Sequence, residues 1–360
     1  MIAVSLHESS RHVREEIDDD RRHLLGTALM SVVASRFGLA SLANMPINEM
    51  SDGDGIMTAP SGRSSFDSLK QIDAGVLNVG YAEAGPANGH AVILLHGWPY
   101  DIHAFVDVAP ILAAKGYRVI MPYLRGSGTT RFLSNETLRN GEQAAIAVDI
   151  IALMDALKIQ KAIVGGFDWG SRTAGIMAAL WPERVKGLVA VSGYIAVNLV
   201  ANQQPLPPKA ELGWWYQYYF ATERGVLGYT KNTYDFNKLI WQLASPKWKF
   251  DDATYDRTAQ SFNNPDHIRI VIHNYRWRLS LADGEAKYSA LEQRIFTRPV
   301  ITVPSITIAS DFDGAAADGK GYADRFTGKY SHRVLNDIGH NVPQEAPKAF
   351  AQAVIDVDSY

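Results

Sequence analysis

Asp168 is the centre of Gly166-Phe167-Asp168-Trp169-Gly170, which follows the apolar run Ala162–Val164 and precedes a helical pattern from Thr173 to Leu180. Strand, tight turn and helix in that order form a nucleophile elbow: small flanking residues let the backbone take a strained turn that lifts one side chain above a sheet. Here the lifted group is a carboxylate. Its ordinary pKa of about 3.9 leaves it ionised near neutrality, so it attacks without a base to remove a proton. Attack on an ester carbonyl would give a mixed anhydride and gain little. Displacement at a saturated carbon gives an alkyl ester that water can cleave, which directs the chemistry toward a strained ether or a carbon–halogen bond. With no cysteine in 360 residues, thiol nucleophiles, thiolate metal sites and disulfides are excluded.

Other loops supply what the second half of such a reaction needs. Gly339-His340-Asn341-Val342-Pro343-Gln344-Glu345 places His340 after the last expected strand, where an imidazole can act as general base on water. Ser310-Asp311-Phe312-Asp313 follows the run Ser305–Ile308 and offers two carboxylates, Asp313 and Asp311, to hold that histidine. His96-Gly97-Trp98-Pro99 follows the run Val92–Leu95. The backbone N–H groups of Trp98 and Trp169 are the natural donors to a developing oxyanion, and His96 reads as a residue that orders its loop.

These loops need a sheet beneath them. From residue 66 onward, the runs Val92–Leu95, Arg118–Met121, Ala162–Val164, Leu188–Val191, Ser305–Ile308 and Arg333–Leu335 alternate with helical-period segments such as 142–157 and 346–354. That alternation predicts an α/β fold: a mostly parallel central sheet with helices on both faces. Residues 195–298 break the rhythm. Between Glu211 and Trp277 lie 16 of the 37 aromatics, where an even spread would give about seven, and no strand alternation accompanies them. They predict an inserted helical cap, with a helix over 212–223, on a core of 66–194 and 299–360.

Residues 1–65 read separately. A Gly/Ser/Pro/Asp-rich linker from Ser51 to Arg63 is preceded by Arg21-Arg22, the uncharged stretch 24–35 and Ser41-Leu42-Ala43. This order resembles a twin-arginine export signal with a small-residue cleavage site, which implies a periplasmic mature protein. The apolar stretch is too short for a bilayer span of about 20 residues. The alternative is an amphipathic surface helix on a cytoplasmic protein.

The combination of HGWP, DWG and GHNVPQE, in the chain order nucleophile, acid, histidine, resembles the α/β-hydrolases of the epoxide hydrolase and dehalogenase branch. The likeness runs from about Gln71 to the end. It implies the α/β-hydrolase fold and an alkyl ester on Asp168 that water, activated by His340, hydrolyses. In that family the acid stands three residues after a glycine; Ser310 replaces the glycine here, which favours Asp313 and keeps Asp311 as a rival. Tyr216-Gln217-Tyr218-Tyr219-Phe220 resembles the segment in which epoxide hydrolases carry the first ring-opening tyrosine, and His273-Asn274-Tyr275-Arg276 resembles the segment carrying the second. Tyr216 and Tyr275 are thereby implied as donors to the epoxide oxygen. Fluoroacetate dehalogenases carry His-Trp where this chain has Tyr216-Gln217 and arginine where it has Trp169; haloalkane dehalogenases usually carry asparagine or glutamate in place of Trp98. The resemblance thus favours epoxide over halide. Trp214, Trp215 and Trp277 are expected to shape the substrate pocket.

Thirty-eight acidic against 35 basic residues give a net charge of -3, which offers no basic field to nucleic acid or an anionic membrane. His267 and His273 are six apart with no second set of ligands, so neither a metal nor another cofactor is expected. Arg125-Gly126-Ser127-Gly128 lacks the lysine of a phosphate loop and reads as a turn beside the pocket. The expected partners are water and a small hydrophobic, epoxide-like molecule. Beside an epoxide hydrolase stand a haloacid or haloalkane dehalogenase using the same aspartate, an esterase or lactonase, and a noncatalytic ligand receptor on this fold.

Overall fold

The apolar runs pair edge to edge in a computed structural model that describes residues 66, 68–194 and 196–360; the expected export signal and linker lie outside the described residues. The strands are β1 (Leu69–Ala74), β2 (Leu77–Ala84), β3 (Ala91–Leu95), β4 (Arg118–Pro122), β5 (Arg131–Phe132), β6 (Ala162–Gly166), β7 (Val185–Val191), β8 (Ser305–Ser310) and β9 (Tyr330–Leu335). They form one sheet in the order β1-β2-β4-β3-β6-β7-β8-β9, with β5 beside β2. Pairings of β2 with β1, β4 and β5 are antiparallel, and every pairing from β4 to β9 is parallel. The expected parallel sheet holds for the part that carries the loops.

Strand β3 shows why continuous apolar runs mark these strands. Val92 and Leu94 enter one core, Ile93 and Leu95 the other, and all four are fully buried. A strand covered on both faces has no polar side. Burial of each such side chain contributes roughly 1.5–3 kcal/mol. The helices are α1 (Val108–Ala114), α2 (Gln143–Ala156) and α3 (Trp169–Leu180), then α4 (Pro208–Gly213), α5 (Trp215–Ala221), α6 (Glu223–Lys231), α7 (Thr233–Ala244), α8 (Asp252–Ala259), α9 (His267–Arg278) and α10 (Ser289–Phe296), and finally α11 (Val342–Glu345) and α12 (Pro347–Asp358). Leu112 of α1 and Phe350 and Val354 of α12 join the core of Val92 and Leu94; Ile146 and Ile150 of α2 and Met177 of α3 join that of Ile93 and Leu95. Helices α4 to α10 fall between β7 and β8 and form the cap.

Three local expectations need correction. The helix expected over 212–223 is two helices, broken at Trp214, and it stops before Thr222 because that hydroxyl accepts the Gly225 N–H at 2.9 Å and caps α6 instead. Helix α3 starts at Trp169, not near Thr173, since the elbow leaves no loop after Asp168. Strands β1 and β2 were not anticipated: β1 lies at the sheet edge with most of LKQIDA exposed, so its sequence carries no apolar signal. Among the described residues, no helix is long and apolar enough to cross a membrane.

Candidate active site

The elbow is built by close approach. Asp168 sits at φ 53°, ψ -125°, a region that costs an L-residue of order 1–3 kcal/mol and persists only where the surroundings impose it. The surroundings do so here: a Cβ on Gly170 would lie 1.9 Å from the Leu95 carbonyl oxygen, and one on Gly166 would lie 2.5 Å from the Gly170 carbonyl carbon. Only glycine lets α3 start directly over β3. The turn brings the Asp168 carboxylate to the HGWP loop, where Oδ1 accepts the Trp98 backbone N–H at 2.7 Å. The Trp169 amide also hydrogen-bonds this carboxyl. Both expected oxyanion donors therefore face one group.

His340 Nε2 stands 3.4 Å from Asp168 Oδ2. Burial works to raise the Asp168 pKa, but hydrogen bonding and charge from His340, the charge of Arg172 and the Trp169 amide hold it below the ordinary carboxylate value. The Asp168 carboxyl is thus an anion at neutral pH. Of the two candidate acids, Asp313 is the buried one and feels the charge of His340. Its Oδ2 accepts the Ser310 N–H at 2.8 Å, and its Oδ1 and the His340 Nδ1 are both buried without a hydrogen-bond partner, each able to serve the other. Burial raises its pKa, opposed by the Ser192 hydroxyl, the Ser310 amide and the charge of His340. Asp311 instead points outward to Lys247 at 2.7 Å. Ser310 in the family's glycine position has extended backbone, φ -138° and ψ -179°, which any residue adopts.

Two residues that sequence reasoning missed hold the histidine loop. Glu345 accepts the N–H of Gly339 at 2.7 Å and that of Asn341 at 3.0 Å, and Ser245, at the end of α7, donates to Glu345 at 2.7 Å while accepting the His340 N–H at 2.9 Å. Glu345 closes the GHNVPQE motif and could have been suspected; nothing in the sequence marks Ser245. Arg172, one turn beyond Asp168 on α3, was likewise missed. It is 7% exposed and its charge acts on Asp168.

The cap brings both tyrosines. Tyr216 on α5 and Tyr275 on α9 pack edge to face with ring centroids 5.3 Å apart, and both phenols feel the charge of Asp168. Burial raises the pKa of each, so both stay protonated donors. A cavity of about 200 Å³ opens above the carboxylate, lined by Trp98, Asp168, Tyr216, Ile240, Leu243, Phe312 and His340, with Trp214 and Trp215 at its side. Trp277 is not among the lining residues. It lies two positions from Tyr275 on α9, about 200° around the helix, and faces Gly284 instead. Tyr275 is 1% exposed, packs against Trp98, Trp169 and Tyr216, and is not among the residues that line the cavity.

The remaining candidates have other partners. His96 bonds the Gly97 carbonyl at 2.9 Å and accepts the Leu124 N–H at 3.1 Å, so it orders the loop as expected. Arg125 makes a two-pronged pair with Asp149 at 2.6 and 2.7 Å, which leaves no phosphate cradle. His267 bonds Tyr229 and the Gly126 carbonyl, and His273 bonds the Gly141 N–H and the Asp283 carbonyl.

Sheet order, elbow and cap are those of an α/β-hydrolase, and residues 90–226 match the family described as alpha/beta hydrolase fold. A crystal structure from Klebsiella pneumoniae, of a protein provisionally named an epoxide hydrolase, is 58% identical, covers 82% of this chain and 99% of its own, and superposes with a TM-score of 0.80. Epoxide hydrolase B of Mycobacterium tuberculosis is 31% identical over 152 residues, 39% of this chain and 42% of its own length. The match thus spans about two-fifths of such curated relatives. A Pseudomonas aeruginosa structure, also provisionally named an epoxide hydrolase, is 18% identical over 84% of this chain and 97% of its own with a TM-score of 0.68, a likeness of fold alone. The chain belongs to the α/β-hydrolase fold family, in its epoxide hydrolase branch.

Proposed function

We propose that the protein hydrolyses small apolar epoxides to vicinal diols through a covalent ester on Asp168. The observation that carries this reading is one carboxylate, on a strained elbow, that faces an imidazole and two backbone amides, with two buried phenols close enough to feel its charge. An Asp168 oxygen attacks an epoxide carbon; the ring C–O bond breaks, and its electron pair passes to the ring oxygen, which takes a proton from a tyrosine. A neutral phenol suits this task because an alkoxide is a strong base that needs an acid. His340 Nε2 then removes a proton from water, which attacks the ester carbonyl while the Trp98 and Trp169 amides hold the oxyanion. Collapse breaks the bond between carbonyl carbon and ester oxygen, which takes the proton of the carboxylic acid so formed; the diol leaves, the proton on His340 returns to the tyrosinate, and one water oxygen stays in the Asp168 carboxylate. Asp313 holds the imidazole and stabilises its positive form.

A halide would leave as a weak base and need only N–H contacts, of which the buried Trp169 indole N–H is one while that of Trp98 is committed to Tyr229 at 2.9 Å; the phenols supply the proton that an alkoxide needs and a halide does not. Esterase, lactonase and dehalogenase chemistry make no use of paired phenols. The test is His340→Ala incubated with styrene oxide, read by intact mass and peptide mapping. An adduct of substrate mass on Asp168 is expected. A variant that stays unmodified, or wild-type turnover in ¹⁸O water that leaves Asp168 unlabelled, refutes the mechanism; halide release from chloroacetate without diol formation from epoxides refutes the substrate class.

A further inference from the structure

Trp98 is asked to do two things at once: its backbone N–H faces Asp168, and its indole forms the wall on which both phenols rest, with ring centroids 5.3 Å from Tyr216 and 5.2 Å from Tyr275. Its far end is pinned by a chain of buried polar groups. The indole Nε1–H, which can only donate, gives its hydrogen to the Tyr229 hydroxyl at 2.9 Å. At the other end the Gly126 carbonyl, which can only accept, lies 2.9 Å from His267 Nδ1. These two ends fix every proton between them. His267 carries its hydrogen on Nδ1, its Nε2 is an acceptor, and the Tyr229 hydroxyl donates to that Nε2 across 3.0 Å. Trp98, Tyr229 and His267 are 4%, 0% and 4% exposed, so a broken link strands a polar group away from water.

We propose that Tyr229 and His267 are positioning residues for the reaction: a one-way hydrogen-bond relay, Trp98 to Tyr229 to His267 to Gly126, fixes the indole and through it the amide that faces Asp168. The relay ties the HGWP loop to α6, to α9 and to the turn after β4, so cap and core meet at the residue that serves both. The inference rests on Asp168 being the nucleophile. Its effect falls mainly on the second step, in which negative charge gathers on the Asp168 carbonyl oxygen and the Trp98 amide must stay in line with it.

Three variants separate this role from simple support of the fold. Glutamine at 267 can accept from Tyr229 through Oε1 and donate to Gly126 through Nε2, whereas leucine can do neither and Tyr229→Phe breaks the middle link. Single-turnover mass spectrometry with styrene oxide gives the rates at which the Asp168 adduct forms and breaks down. In Tyr229→Phe and His267→Leu, breakdown slows roughly tenfold or more and the adduct accumulates at steady state, while His267→Gln restores most of the wild-type partition. An unchanged ratio of formation to breakdown in folded Tyr229→Phe overturns the proposal, as does His267→Gln performing no better than His267→Leu. Should Tyr229→Phe and His267→Leu not fold, imidazole ¹⁵N spectra of the wild type decide, with His267→Gln supplying the assignment: a neutral ring protonated on Nδ1 is expected, and a proton on Nε2 overturns the relay. Absence of an adduct even in His340→Ala would instead remove the nucleophile itself, a different failure from adducts that form and decay normally in every relay variant.

Discussion

Burial in the relay makes His267 an acid-sensitive element of the fold, and the size of that sensitivity can be worked out. Burial pulls its pKa from the ordinary 6.5 down to about 4, against the Gly126 carbonyl, which favours the charged form. The sign follows from proton uptake. Above pH 6.5 the imidazole is neutral in folded and unfolded chains and contributes no pH dependence. Between 6.5 and 4 the unfolded chain takes up a proton that the folded one refuses, so stability falls as the pH falls, and below 4 the loss levels off at roughly 3 kcal/mol. At pH 4.5 about 2.5 kcal/mol of it has been lost. Other groups titrate in the same range, Glu292 among them, with a pKa pushed up to about 7 mainly by burial. The comparison must therefore be differential. Urea unfolding of wild type and His267→Gln at pH 7.5 and 4.5 isolates the imidazole: the free-energy difference between the two proteins should shift by about 2.5 kcal/mol in favour of glutamine at the lower pH. A difference that stays constant between the two pH values refutes the burial argument.

Other outcomes follow from the same geometry. Asp313→Asn should cut turnover roughly a hundredfold or more, whereas Asp311→Asn should stay within about twofold, because its pairing with Lys247 is a surface contact worth under about 1 kcal/mol; steady-state diol formation reads both. Tyr216→Phe should slow adduct formation roughly tenfold to a hundredfold and leave adduct breakdown unchanged, as single-turnover mass spectrometry would register. Gly170→Ala should yield no folded protein by circular dichroism, since its methyl would lie 1.9 Å from a backbone oxygen that cannot move.

The chemistry was legible where backbone geometry forces residue choice. Gly166 and Gly170 are dictated by contacts within a strand-turn-helix unit, so Asp168 could be located from five consecutive residues. The parallel strands were legible because burial on both faces removes every polar position; β1 was not because an exposed edge strand follows no such rule, and β2, largely buried, was not because Asn78, Gly80 and Glu83 interrupt its apolar residues. The cap announced itself as an excess of aromatics, but which indoles meet the cavity depends on helix phase: Trp214 and Trp215 do, and Trp277, on the far side of α9 from Tyr275, does not. Asp313 turns inward and Asp311 outward to Lys247, a difference that spacing alone cannot separate. Least legible were the supports. Trp98 meets Tyr229 across 131 residues and Ser245 meets Glu345 across 100, pairings that only the finished fold creates.

The insertion between β7 and β8 divides the labour of the site. Carboxylate, imidazole and oxyanion amides are rooted in the sheet, while both phenols and the walls beside them ride on the insert. Exchange of such a cartridge between relatives would retune which molecules enter and which donors meet them, without touching the groups rooted in the sheet. The exchange is nevertheless keyed: any replacement must present an acceptor where Tyr229 now stands, or the indole of Trp98 loses its anchor and the borrowed part disables the host.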